Sequence, residues 1–168
     1  MAKTVRQSLI LIALIMVLVG CAGGTFAERA EAITDQMVVR EMRYFDEGEL
    51  GDTYAVMFTV PDEWVGQFET SSDGAAMTVS RVEDNGRRAP IFTVFALSRQ
   101  QWWEQGGTYP QAYPSLKSTP DTYFTYNAPI EAFYSGLERA EFEALRAALP
   151  DIVASFDVVP SDEMVMMN

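Results

Sequence analysis

The chain holds 168 residues, of which 12 are lysine or arginine and 24 are aspartate or glutamate, a formal net charge of −12 at neutral pH. So acidic a surface is a poor match for nucleic acid or anionic lipid headgroups, both of which require positive charge. There is no histidine, so Ser-His-Asp, Cys-His and histidine-ligated zinc devices are excluded.

In chain order the first feature is an address. Lys3 and Arg6 form a short positive region, and Leu9 to Val19 is an apolar run broken only by the small Ala13. That run is shorter than the ~20 residues a spanning helix needs, so it reads as a secretory signal. Leu18-Val19-Gly20-Cys21 resembles the bacterial lipobox. The resemblance implies cleavage before Cys21, diacylglyceration of its thiol and acylation of the new N-terminus, and two or more chains anchor stably. Ala22 in the second mature position resembles the pattern forwarded to the outer membrane of Gram-negative bacteria. The expected location is therefore the inner face of that membrane, facing the periplasm.

Cleavage leaves 148 residues with 10 basic and 24 acidic side chains, a formal charge of −14. That length suits one domain with its own core. With one cysteine no disulfide forms within the chain, and a serine-lysine device would have to use Lys117, the only lysine left. Paired carboxylates remain a background route to glycoside chemistry, with no motif to single out a pair.

Gly23 to Asp35 reads as a tether running into a polar, helical turn. Gln36–Phe45 offers a first strand, broken by Asp46–Asp52. That acidic stretch lacks the alternating oxygen ligands and closing glutamate of a calcium loop, so it reads as an exposed turn. In Thr53–Val60, Tyr54, Val56, Phe58 and Val60 share one face, a strand pattern that stops at Pro61. Gly66–Val82 reads as a hairpin turning at Asp73-Gly74, and Asp84–Gly86 as another turn. Pro90–Leu97 is apolar on both faces and predicts a central strand. Four strands with short connections predict an antiparallel meander.

Ser98 and Gln101 have capping-box spacing and predict a short helix ending at Gly106-Gly107. Trp102 and Trp103 lie ~100° apart on such a helix, so one packs and the other is exposed. Thr108–Pro120 reads as an irregular loop, and Asp121–Tyr126 as a strand. Over Gly136–Phe156, the residues Phe142, Leu145, Leu149, Ile152 and Phe156 form one apolar helical stripe. Pro150 predicts a kink or two abutting helices. Met164, Met166 and Met167 are soft ligands suited to Cu(I), but one short cluster reads as a frayed terminus.

The strand ending at Pro61 with Trp64 beyond it, and the closing helix ending at Ser155-Phe156, resemble the PsbP/DcrB-like superfamily over roughly 52–158. The resemblance implies an α+β fold, an α/β/α sandwich around a mainly antiparallel sheet, in a single domain. It implies an accessory or binding role without catalysis. Trp64 itself reads as a core plug at a strand corner. The loop from Thr108 to Pro120 matches nothing in the family pattern. The expected layout is a signal peptide over 1–20, a tether over 21–35, a globular domain over 36–158 and a flexible Met-rich tail over 159–168.

Trp102, Trp103, Tyr109, Tyr113, Tyr123, Tyr126 and Tyr134 form a dense aromatic group. Most of it belongs in a core, with Trp103, Tyr109 and Tyr113 the centre of a candidate surface patch. The reading from sequence is a lipid-anchored envelope module that engages another protein through this patch or a sheet edge. It needs no cofactor, metal or nucleic acid. The alternative is a non-catalytic glycan or small-molecule binder using the same Trp/Tyr patch.

Overall fold

The alternating residues around Tyr54 form a strand at the middle of a sheet, with partners from distant parts of the chain. The computed structural model describes residues 28–108 and 113–165. The expected signal peptide and the lipobox-like residues Leu18, Val19, Gly20 and Cys21 lie outside the described residues, as do Tyr109, Met166 and Met167.

The domain is mixed α/β and mostly antiparallel sheet, with few helices. A six-stranded sheet is built from β1 (Arg29–Ala32), β6 (Phe68–Ser72), β7 (Ala76–Val82), β8 (Arg88–Ser98), β9 (Ser115–Ser118) and β10 (Thr122–Asn127), in the order β1-β6-β7-β8-β10-β9. A three-stranded sheet places β5 (Tyr54–Thr59) between β2 (Met37–Met42) and β11 (Asp157–Pro160). A small hairpin joins β3 (Phe45–Asp46) to β4 (Glu49–Leu50), with Glu47 and Gly48 at positive φ, the geometry of a two-residue turn. The helices are α1 (Arg99–Thr108), α2 (Ala132–Ser135), α3 (Arg139–Ala147), α4 (Leu149–Ala154) and α5 (Ser161–Val165).

One hydrophobic core joins the two larger sheets. Phe58 meets Phe92 edge-on at 5.8 Å, and Tyr54 meets Phe124 likewise at 5.8 Å. Phe142, Leu149 and Ile152 add the apolar side of α3 and α4. Trp64 is 1% exposed at the corner after Pro61 and stacks on Phe68 at 4.2 Å, so it plugs the core as expected. Ser155 accepts the Thr59 N–H at 2.8 Å, and Phe156 stacks over Phe58 at 6.5 Å, which ties the end of α4 to β5.

Several local signals hold. β8 is central and buried along most of its length. Across β7 and β8, Val79 faces Phe92 but Ser80 faces Pro90, so Ile91 is an extra residue and the proline lies at a bulge. The hairpin turns at Asp73-Gly74, where Asp73 Oδ1 accepts the N–H groups of Ala75 and Ala76. Ser98 and Gln101 close the capping box at 3.0 and 3.1 Å. Pro150 lies in the first turn of α4, and the helical stripe expected up to Phe156 is two abutting helices, α3 and α4.

Other expectations are corrected. The tether does not run free to Asp35: β1 pairs with β6 from Arg29, and Ile33 is buried. The tail does not begin at residue 159, because Val159 and Pro160 complete β11 against β5 and α5 continues to Val165, with Met164 half-buried. The loop of Thr108–Pro120 contains β9, an edge strand on β10. The strand expected over Gln36–Phe45 is β2 and stops at Met42, and Phe45 belongs to the small hairpin. The four-strand meander is divided, since β5 leaves the sheet that holds β6, β7 and β8. Gly136 does not begin the last helix but closes α2 in the left-handed region at φ 72°.

Candidate interaction surface

The aromatic group near α1 separates into packed and exposed members. Trp102 stacks on Tyr123 at 4.8 Å, and Trp103 meets Trp102 edge-on at 4.9 Å while remaining 64% exposed. Tyr113 is half-buried with its ring edge-on to Phe95 at 5.6 Å. Of the two patch residues the structure describes, only Trp103 presents most of its surface to solvent.

A larger apolar surface lies after β10. Ala128 to Glu131 leave the sheet and lead into α2, a single turn closed by the Gly136 N–H on Ala132 O at 2.9 Å. Its tip carries Ile130, Phe133 and Tyr134, which are 71%, 84% and 61% exposed. Phe133 and Tyr134 hold each other edge-on at 5.6 Å. Isolated exposed apolar residues are ordinary, but three within five positions on one turn form a patch.

The knob is anchored beneath its tip. Ser135 and Leu137 are buried, and Ser135 Oγ donates to Ala132 O at 2.8 Å while accepting the Leu137 N–H at 3.3 Å. Two arginines grip its backbone from outside. Arg146 Nη1 donates to Ile130 O at 3.2 Å, and Arg87 Nη2 donates to Gly136 O at 2.7 Å. Arg87 is itself aimed by Glu83, whose Oε2 accepts its Nε–H at 2.7 Å. That hydrogen bond holds the Glu83 carboxyl below its ordinary pKa and raises the Arg87 guanidinium above its own. The exposed rings are thus presented by a fixed backbone, which lowers the ordering cost of binding.

Among the described residues no group of three or more His, Cys, Asp or Glu is placed to hold a metal ion. No helix among them is long and apolar enough to cross a membrane. Sequence reading included Tyr134 in the aromatic group but passed over Ile130 and Phe133. The available signal was Ala128-Pro129-Ile130, a proline-marked exit from a strand, followed by two adjacent rings that cannot both face one core.

No family model, no curated protein and no solved structure matches this chain.

Proposed function

We propose that this protein is a lipid-anchored accessory module of a bacterial envelope that engages another protein and performs no catalysis. The clamped knob of Ile130, Phe133 and Tyr134 carries the reading. Exposed rings on a fixed turn have the character of interface anchors, where aromatic side chains fill pockets in a partner. Attachment through Cys21, at the inner face of the outer membrane, rests on the lipobox resemblance. Membership of the PsbP/DcrB-like superfamily and an α/β/α sandwich belong to the same reading. They are supported by the buried Trp64 corner, the Ser155-Phe156 junction, and α1 and α3–α4 packed against the sheets. The exposed Trp103 favours the second reading, a glycan binder, because an indole face stacks on sugars.

A photocrosslinking residue in place of Tyr134, in membranes of the host, tests the first reading. A discrete protein adduct is expected. Phe133→Ala should weaken its formation by roughly thirtyfold, the loss of an interface anchor worth ~2 kcal/mol, with the melting temperature unchanged. Intact mass of the chain from the same membranes should match residues 21–168 with attached lipid. An adduct indifferent to Phe133→Ala removes the knob from the reading, and an unmodified soluble chain removes the anchor.

A further inference from the structure

Between the free edge of β2 and the inner face of β1 and β6 lies a cleft of about 550 Å³, bordered by Arg29, Glu31, Arg40, Glu41, Thr70 and Ser72. Its wall is backbone. The Val60 N–H donates to Gln36 O at 2.9 Å, which makes that pair a hydrogen-bonded one. The two-residue alternation of an antiparallel ladder then turns Val38, Arg40 and Met42 toward β5 and leaves Val39, Glu41 and Arg43 facing outward. Arg43 shows the direction, since its N–H leaves β2 for Gly74 O at 2.9 Å. Among the described residues no strand lies beyond β2.

The floor supplies charge. Arg29 and Arg40 both pair with Glu31, at 2.9 and 3.2 Å, and Arg40 Nε also donates to Thr70 Oγ1 at 2.7 Å. Arg40 Nη1 donates to Val39 O at 2.7 Å, capping one carbonyl of the open edge. Glu41 lies on the opposite side of the strand from Arg40, as neighbours on a strand do. Two guanidiniums therefore share one carboxylate on the floor, while Asp73, which also lines the cleft, is turned to the Ala75 and Ala76 N–H groups.

We propose that this cleft takes an extended peptide segment of a partner protein. The segment pairs with β2 as a fourth strand of the three-stranded sheet and sets one carboxylate side chain on Arg29 and Arg40. Main-chain hydrogen bonds to Val39 and Glu41 supply affinity without sequence preference, and the arginine pair supplies the choice of side chain. Arg40 on Val39 O closes part of the edge until a strand displaces it, one means of keeping an open edge from pairing at random. The site is separate from the aromatic knob and does not depend on it.

The test uses a fluorescent heptapeptide of alternating threonine and valine with a central aspartate, titrated into the full chain by anisotropy. Glu41→Pro removes an N–H that faces the cleft while leaving the ladder to β5 intact, and Glu41→Ala removes the same side chain but keeps the N–H. The probe should bind, with Glu41→Pro weakening it about tenfold relative to Glu41→Ala, the worth of one main-chain hydrogen bond. Arg29→Gln should weaken the aspartate probe and leave an asparagine version unchanged. Equal binding by the two Glu41 variants overturns the proposal, as does absence of binding at millimolar probe. A chain that self-associates through this edge, with dimers lost in Glu41→Pro, overturns it in favour of a second copy. Should Glu41→Pro not fold, hydrogen exchange at the Val39 and Glu41 amides of the unaltered chain gives the same answer. Saturating probe should slow both, and unchanged rates reject the pairing.

Discussion

Gly136 shows how much of the candidate surface hangs on one residue. Its φ of 72° is a conformation that side chains rarely adopt, and a Cβ built there would fall on the Arg87 guanidinium. Gly136→Ala should therefore cost ~1–2 kcal/mol in backbone strain alone, and it should also push Arg87 off the Gly136 carbonyl. We expect a lower melting temperature together with faster proteolysis between residues 128 and 137, read by limited digestion. Digestion unchanged from the parent chain would mean that Arg87 does not hold the knob. This arrangement was only partly legible in the sequence. Gly136 is visible as a glycine but not as the end of α2, because the carbonyls it arranges accept from Arg87, which is far away in the chain. Exposure of Ile130 and Phe133 runs against their hydrophobicity, so composition predicts burial where the fold presents them outward.

Elements set by local chemistry are those the sequence foretells best. The Asp73-Gly74 turn, the apolar run of β8, the Ser98–Gln101 cap and the break at Pro150 each depend on residues within one or two turns of one another. Ser98→Ala should remove the hydroxyl that accepts the Gln101 N–H and also bonds Asp46. A loss of ~1 kcal/mol is expected, typical of a helix cap, seen as a fall of ~2–4 °C in the melting temperature for a chain of this size. An unchanged midpoint would show that α1 is held by Trp102 on Tyr123 alone. β1, β9 and β11 were missed for the opposite reason. They are four-residue strands with weak alternation, made strands by partners that lie far along the chain or across a loop. Their neighbours decide them, and for β1 and β11 no local window contains those neighbours.

At the scale of the molecule, Asp121 ties the two larger sheets together. The turn before β10 presents it to the start of β5, where it accepts the Tyr54 hydroxyl at 2.6 Å and the Asp52 N–H at 3.2 Å. Thr119 Oγ1 donates to it at 2.9 Å. Burial alone would raise its pKa, but these donors outweigh that and hold it below the ordinary carboxylate value. The folded state therefore binds this proton more weakly than the unfolded chain. The stability it contributes is present above the unfolded aspartate pKa of ~3.9 and is lost as pH falls through the lower folded value. Tyr54→Phe should cost ~1.5–3 kcal/mol at neutral pH, as for a hydrogen bond to a charged group, and should flatten the loss of stability below about pH 4. Urea melts across that range check both; parallel curves for the two proteins would remove Asp121 from the acid transition.

The position of β5 between β2 and β11 has a consequence for the order of assembly. The hairpins β6–β7–β8 pair neighbours in the chain and close short loops, whereas β11 must find β5 across almost a hundred residues. Contacts of such separation form late in folding. A chain emerging from synthesis can thus pair most of its six-stranded sheet while β5 still lacks one flank, which waits for β11 far along the chain.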